Sequence, residues 1–498
     1  MRPAQDITHI WSGLLPRFAG SSATLQGRIK EMMVHSILAG LIPAAAAIPP
    51  SRSLAVALGV SRNTVTQALQ MLVDKGFLVA RERSGLFVNP DIVLGQANRL
   101  PGEAGAQGEL PWAARLKSQV AAQRNIAKPA NWQDFAYPFV YGQFDASLMP
   151  LADWRACSHQ SLLAPAVRKW SQDHVDRDHE GLVSQIQHRL LPSRGIVAQR
   201  DEILVTGGAQ MACFLLAHAL IGPDTVVGME DPGYPDARNN FELRTSKVVS
   251  LPVDAHGLVP TRRLGQCDYA YVTPSHQCPT SVTMPLERRR ALLALARRKD
   301  VVLFEDDHES ELNFSGRPLP ALKSLDTEGR VIYLGSLSKT LAHGLRLGYI
   351  VAPAALIREL RALRRLMMRH VPSNNAHIAG LFIAQGHHDA FIRKLNLTYR
   401  DRRQVLLAAL ARWMPDCTVS EAQGGSGAWV QGPPGLDAVA LAQAGQARGV
   451  LIEAGQVFFA RPGSANRSFF RLGYSAIPMA AIYAGVRQLR EARVVAGL

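Results

Sequence analysis

The sequence predicts an α/β protein in two blocks: a small N-terminal helical block closed by a strand pair, and a large block whose mostly parallel sheet carries helices on both faces. Three observations predict it. Apolar residues recur at helical spacing between Leu25 and Val73 and then give way to two short strand-like runs. A stretch rich in small residues and helix breakers, Leu100 to Pro111, interrupts all periodicity. From about residue 132 onward, short apolar runs alternate with helical stretches, the pattern of strands joined by crossover helices.

At roughly 150 residues per domain, 498 residues make about three domain-sized units. The sequence divides into an N-terminal arm (1–20), a helical block closed by a strand pair (21–90), a linker (91–131) and a large block (132–498) whose smaller C-terminal α+β part starts near 380. A chain with 47% apolar and 19% charged residues has the composition of a folded globular protein, not of a disordered or collagen-like one. The apolar run Ile37 to Ile48 is broken by Gly40 and Pro43, so no segment approaches the roughly 20 apolar residues of a membrane span. Without a secretory leader pattern, the expected location is the cytoplasm. Five scattered cysteines, with no C-x-x-C pair, support neither a disulfide framework nor a zinc cluster, and no metal is expected. The net charge of +15 suits a phosphate-rich partner, and residues 1–90 hold nine basic against four acidic side chains.

In the first block, Leu25, Ile29, Met32, Met33 and Ile37 make one amphipathic helix ending near Gly40. A second helix fits Ser53 to Leu58. Gly59 turns the chain, Ser61 is an N-cap, and Val65, Ala68, Leu69, Leu72 and Val73 form the apolar stripe of a third helix ending before Gly76. Helix, short glycine turn and capped helix make a helix-turn-helix. With the stripe buried, Arg62, Asn63, Thr66, Gln67 and Gln70 project outward, and these types hydrogen-bond base edges and phosphates in a major groove. Phe77–Ala80 and Leu86–Val88 flank the basic tip Arg81-Glu82-Arg83-Ser84-Gly85, a wing able to touch phosphates. The pattern alone leaves open a three-helix packing module whose polar face is simply solvated. Trp112 to Lys128 reads as a short basic helix or a solvated connector.

The stretch Leu41 to Val88, with Pro49-Pro50-Ser51-Arg52, Leu54-Ala55-x-x-Leu58-Gly59-Val60-Ser61-Arg62-x-Thr64-Val65 and Gly76-Phe77-Leu78, resembles the winged helix-turn-helix of GntR-type regulators. The resemblance implies a double-stranded DNA operator as partner, with Arg52, Ser61, Arg62, Asn63, Thr64, Thr66, Gln67, Gln70, Arg81 and Arg83 on the DNA-facing side. It departs from the family at Ala44 to Ala47 and at the wing sequence Arg83-Ser84-Gly85-Leu86.

In the large block, several strand ends carry complementary chemistry. Ile203-Leu204-Val205 runs into Thr206-Gly207-Gly208-Ala209-Gln210, small residues and free N–H groups where an anion can sit. Val301–Phe304 ends in Glu305-Asp306-Asp307-His308, and Val331–Leu334 ends in Gly335-Ser336-Leu337-Ser338-Lys339-Thr340, with Arg346 seven residues beyond the lysine. Singly, these are a turn, a helix cap and a surface charge. Together they supply what pyridoxal phosphate needs: an amine for its aldehyde, a carboxylate for its ring nitrogen, and N–H, O–H and guanidinium donors for its phosphate.

Residues 132–498 resemble the fold type I aminotransferases, and the combination with the first block is similar to the MocR/GabR subfamily of regulators. The matching stretches are Glu230-Asp231-Pro232-Gly233-Tyr234-Pro235, Tyr271-Val272-Thr273-Pro274-Ser275-His276-Gln277, Glu305-Asp306-Asp307, Gly335 to Leu341 with Leu345 to Tyr349, and Phe470-Arg471-Leu472-Gly473-Tyr474. The resemblance implies pyridoxal 5'-phosphate as cofactor. Lys339 would be the Schiff-base lysine, Asp306 the partner of the ring nitrogen and Tyr234 the stacking residue. Gly208, Ala209, Gln210, Ser336, Ser338 and Arg346 would hold phosphate, and Arg471 would meet the carboxylate of an amino-acid-like effector, a structural salt bridge being its other reading.

Three departures bear on chemistry. His308 stands where many relatives have a tyrosine donating to the cofactor's phenolate oxygen. Cys278 and Ser281 replace an asparagine and a glycine, and Val175 to Gly181 lacks the Tyr-Gly that reaches a neighbouring subunit's phosphate. The expected function is a DNA-binding regulator that binds the cofactor through Lys339 and senses an amino compound or the cofactor itself, as a head-to-tail homodimer. A catalytically active aminotransferase with an accessory DNA-binding block, and a DNA-binding protein whose large block is only a dimerisation scaffold, are the alternatives. At most weak or partial transamination is expected.

Overall fold

A computed structural model of the chain describes residues 4–20, 22, 24–91, 112–314 and 319–498. The linker core read at Leu100 to Pro111 lies outside them. The chain separates into two compact units, Met1–Lys117 and Ser118–Leu498.

The first unit opens with a helix, α1 (Ala4–Leu14), where the sequence predicts an arm over 1–20. Ile7 and Trp11 stand one turn apart on it and are buried in the core of the unit. The Trp11 indole Nε1 donates to Ser36 Oγ at 2.6 Å, satisfying the one polar atom of a fully buried side chain. Helix α2 (Leu25–Leu38) buries Ile29, Met32, Met33 and Ile37 as its spacing predicts, whereas Leu25, in the first turn, stays exposed. Helix α3 (Ser51–Leu58) starts two residues earlier than expected, directly after Pro50, whose φ of −55° suits a helix entry. Gly59 ends it in the left-handed region at φ 65°, a conformation that glycine adopts without steric cost. Ser61 then caps α4 (Arg62–Asp74), its Oγ accepting from the Thr64 N–H at 3.1 Å. Strands β1 (Leu78–Arg81) and β2 (Gly85–Val88) pair antiparallel, with Arg81 opposite Gly85.

Trp112 to Lys128, open between a short basic helix and a connector, holds only one helical turn, α5 (Trp112–Arg115), and a 3-10 turn at Val120–Ala122. Past that turn, side-chain bonds replace the helical ladder: Asn239 Nδ2 donates to Arg124 O at 3.0 Å and to Asn125 Oδ1 at 2.7 Å.

The large unit is built around an eight-stranded mixed, mostly parallel sheet. After β3 (Tyr137–Pro138) its strands are β4 (Ile203–Thr206), β5 (Val227–Asp231), β6 (Val248–Asp254), β7 (Gly257–Leu258), β8 (Tyr269–Val272), β9 (Val302–Asp306), β10 (Val331–Ser336) and β11 (Gly348–Val351). Their order is β4-β11-β10-β9-β8-β5-β6-β7. Strands β6, β5, β8, β9 and β10 run parallel, while β11 lies antiparallel between β10 and β4. The inner strands are buried on both faces, which explains why they read as continuous apolar runs. A second sheet joins β12 (Thr418–Val419), β13 (Gly427–Gln431), β15 (Glu453–Ala454) and β16 (Phe469–Gly473), while β14 (Val450–Leu451) pairs with β3. This is the smaller α+β portion, and its long helix His387–Trp413 packs against the C-terminal helix Met479–Val495. Among the described residues no helix is long and apolar enough to cross a membrane. The five cysteines are all free.

Candidate functional site

The carboxyl ends of parallel strands face one edge of the sheet, the edge where open α/β sheets bind ligands. There β9 delivers Asp306, β10 delivers Ser336 and Lys339, and the turn after β4 delivers Gly208 and Ala209. Together with residues from the smaller sheet they line a cavity of about 280 Å³. Lys339, Asp306, His308, Tyr234, Ala209, Ser336 and Arg471 all border it.

Asp306 is buried, and its two oxygens differ. Oδ2 accepts a hydrogen bond from the buried Tyr271 hydroxyl. Oδ1 has no hydrogen-bond partner among the described residues, and only His308 Nδ1, 3.7 Å away, stands near it. A buried carboxylate oxygen without a donor is costly unless a ligand completes it. Lys339, half-buried, has its ammonium 4.6 Å from the centroid of the Tyr141 ring and forms no salt bridge among the described residues. Burial lowers its pKa, against an opposing effect from Glu309, and so favours the neutral amine that a carbonyl requires.

Beside the cavity, Gly208 has φ 90° and forms the entry to the helix Ala209–Leu220. A Cβ at this position would stand 3.3 Å from Arg346 Nη2 and 3.5 Å from Ser338 Oγ. Backbone N–H groups at a helix start, a hydroxyl and a guanidinium therefore converge on one point, which is an anion cradle. Lys339 and Arg346 ride on a single loop, closed at its base by the Leu337 N–H to Leu347 O bond (3.0 Å) and by the pairing of Ser336 with Gly348. Gln210, expected to hold phosphate, directs its side-chain amide to the Tyr234 hydroxyl (2.8 Å) and to Asp236 Oδ2 (2.5 Å).

Arg471 is 1% exposed and already ion-paired: Nε and Nη2 both lie on Glu453 Oε2, at 2.7 and 2.6 Å. Its guanidinium carbon sits 3.8 Å from the Tyr141 ring centroid and 4.5 Å from that of Phe458. For His308, burial alone would lower the pKa, but the nearby Asp306 carboxylate outweighs it and raises the pKa above the ordinary imidazole value. Burial pushes the Cys278 thiol up to about 12, so it stays neutral. Next to Asp306, Asp307 forms a separate buried network with Arg194 (Nε to Oδ2, 2.7 Å), Tyr333 (2.8 Å) and Ser275, so the carboxylate beside the one in the cavity is structural.

Sequence reasoning missed Lys128, Tyr141, Gly142, Gln143, Asp236, His343 and Glu453 as cavity residues. Asp236 stands two positions beyond the recognised Tyr234, and His343 lies inside the recognised lysine loop. The others carry no local signal.

On the first unit, Arg52, Ser61, Arg62, Asn63, Thr66, Gln67, Gln70, Arg81 and Arg83 are exposed and Thr64 is half-buried. Arg62, Asn63, Thr66, Gln67 and Gln70 stand on α4 and its first turns, and Arg81 and Arg83 on the hairpin. Ser61 and Thr64 share a hydroxyl contact of 2.7 Å that serves the cap. The Gln70 amide reaches Asp74 Oδ1 at 2.8 Å, and the Arg81 guanidinium lies 4.5 Å from the Phe87 ring centroid.

Both units are similar to known proteins. Residues 25–88 match the family of bacterial regulatory proteins of the gntR type, and residues 173–489 match aminotransferase class I and II. The HTH-type transcriptional regulator TauR of Rhodobacter capsulatus is 40% identical over 95% of this chain and 97% of its own. The probable rhizopine catabolism regulatory protein MocR of Rhizobium meliloti is 31% identical over 93% of each. Among solved structures, the α-aminoadipate aminotransferase LysN of Thermus thermophilus, complexed with N-(5'-phosphopyridoxyl)-L-leucine, superposes with a TM-score of 0.71 at 25% identity, covering 78% of this chain and 99% of that one.

Proposed function

The chain belongs to the MocR-type regulators, gntR-family DNA-binding proteins that carry an aminotransferase class I and II domain, and from that premise we propose how its two units divide the work. The protein is a DNA-binding transcriptional regulator with pyridoxal phosphate as its cofactor. When bound, the cofactor supplies an aldehyde that condenses with an amine. Lys339 would provide that amine, its lowered pKa favouring the neutral form. Asp306 Oδ1 would pair with the ring nitrogen, Tyr234 would cover the ring, and Ser336, Ser338, Arg346, Gly208 and Ala209 would hold the phosphate, with Gln210 acting through Tyr234. His308 stands close enough to Asp306 to share its charge and to donate toward the ring's phenolate oxygen.

The single observation that carries this reading is the buried Asp306 oxygen left without a donor in the same cavity as Lys339. An amino compound competing for the aldehyde, or the cofactor itself, is the signal. Its anionic end is drawn to the basic side of the cavity, which Arg471 borders. The output is carried by a homodimer, head to tail, whose α4 helices read two operator half-sites in the cytoplasm through Arg62, Asn63, Thr66, Gln67 and Gln70, with Ser61 and Thr64 holding the helix start and Arg52, Arg81 and Arg83 on phosphates.

Visible absorption of the purified protein with pyridoxal phosphate, before and after borohydride, tests the reading. Wild type traps one adduct and Lys339→Ala traps none while keeping its fold. An adduct retained by Lys339→Ala refutes the assignment, and steady keto-acid production from amino acids would favour the aminotransferase instead.

A further inference from the structure

The cavity has a polar rim that cofactor binding leaves unused. Arg471 is a constrained anion receptor, because its Nε donates to Glu453, the same carboxylate oxygen lies 2.6 Å from Nη2, and aromatic rings cover its face. Two other groups bordering the cavity have no such partner.

One is His343, four residues past Lys339 on the same loop. Both of its ring nitrogens are shut off from solvent and have no hydrogen-bond partner among the described residues. A Cβ at Gly142 would stand 2.6 Å from Lys339 Nζ and 3.9 Å from His343 Nε2, so the imidazole and the amine lie no farther apart than the sum of those distances. Burial, followed by the charge of Lys339, lowers the His343 pKa to about 3. The ring is therefore neutral near pH 7 and offers one N–H and one lone pair. Such a group, buried and unsatisfied, calls for a polar ligand atom.

The other is Lys128, which borders the cavity on the side of Glu453. It forms no ion pair with any described residue. It belongs to the segment by which the chain enters the large unit, and that segment is fastened to the cavity's walls. Arg124 Nη2 donates to Ala460 O at 2.7 Å, Gln123 Nε2 to Asn239 O at 3.2 Å, and Ile126 packs against Cys278, Trp429 and Phe458.

We propose that Lys128 and His343 form the anchor for the far, anionic end of an amino effector, whose amine end is directed at Lys339. An uncharged tail would leave the buried imidazole N–H without an acceptor and forgo the attraction of the exposed Lys128 ammonium, and Glu453 repels a second anionic group, so the site selects amines bearing one oxyanion. Because Lys128 sits on the entry segment, a bound effector grips the stretch of chain that leads back to the DNA-binding unit. The inference rests on Lys339 as the amine-binding residue.

The holoprotein is titrated with glycine, β-alanine and 4-aminobutyrate and with methylamine, n-propylamine and n-butylamine as tails without an anion, with apparent Kd read from the visible absorption change. In wild type at least one amino acid binds more tightly than the matching alkylamine. Lys128→Met and His343→Ala each shrink that ratio by about three- to ten-fold through weaker amino-acid binding, and Lys128→Arg restores it. Binding of the ligand also slows hydrogen exchange in residues 120–128, an effect Lys128→Met removes. A ratio that neither Lys128→Met nor His343→Ala moves, in protein whose chromophore still responds to amines, overturns the anchor and leaves the assignment of Lys339 standing. A wild type that binds alkylamines as well as amino acids, or that responds to none of the probes, also overturns it, and a wild type with no Schiff-base absorption overturns both.

Discussion

Replacing Asp306 by asparagine should move stability and cofactor affinity in opposite directions. The side chain keeps its shape, and its carbonyl oxygen still accepts from the Tyr271 hydroxyl. The other atom, an oxygen with no hydrogen-bond partner among the described residues, becomes an NH2 group. Without cofactor, the exchange removes a buried charge that is only half satisfied, so Asp306→Asn should unfold at the same temperature as wild type or higher, by up to about 1–2 kcal/mol. With cofactor, the variant loses a charge-assisted bond of about 1.5–3 kcal/mol and presents a donor to a donor. Pyridoxal phosphate should then bind roughly 10- to 150-fold more weakly. Differential scanning calorimetry on apoprotein and an absorbance titration with cofactor read the two halves separately. A cofactor Kd changed less than three-fold would refute the assignment of Asp306. A large loss of apoprotein stability would show that the unpartnered oxygen is paired after all.

Three further outcomes rest on the same geometry. Arg62→Ala should weaken binding to an operator selected from a random duplex pool by about 1–3 kcal/mol if it reads a base, and an unchanged isotherm removes α4 from the groove. Arg194→Met strands the buried Asp307 carboxylate and should cost about 3–5 kcal/mol in chemical denaturation. Burial would raise the Asp307 pKa, but Arg194 and its hydrogen bonds hold it below the usual carboxylate value, so its stabilisation is complete above about pH 4 and is lost as pH falls further; a variant whose acid-unfolding profile matches wild type contradicts this. His308 has the opposite sign. Its folded pKa is raised, so its contribution is full below about pH 6.5 and disappears as pH rises through the folded value, a slope that His308→Phe should flatten in apoprotein melting curves.

What could be read from the sequence was local. The stripe and Ser61 cap of α4 are set by residues within one helix, and a lysine just past a strand is placed by the strand itself. Trp11 was not legible as core, because its partner Ser36 lies 25 residues away on another helix. Of the two readings of Trp112 to Lys128, the connector prevails for a like reason: Asn239, more than a hundred positions distant, takes the Arg124 carbonyl and the Asn125 side chain. Arg471 was found by its motif, yet its ion pair with Glu453 arises only because β15 and β16 lie side by side, with Glu453 opposite Arg471. Of the three consecutive acids at the end of β9, the residue pattern alone did not show which faces the cavity; the family resemblance picked Asp306. Strand alternation sends Glu305 away, to the N–H groups of Leu322 and Lys323, and the end of the strand turns Asp307 to Arg194.

The loop carrying Lys339 and Arg346 is a closed ring, pinned at its base by antiparallel strands on either side. Adding or deleting one residue inside it would shift Lys339 relative to Arg346, whichever end gave way. The ladder at the base therefore fixes the number of residues between those two positions while leaving their side chains free to differ.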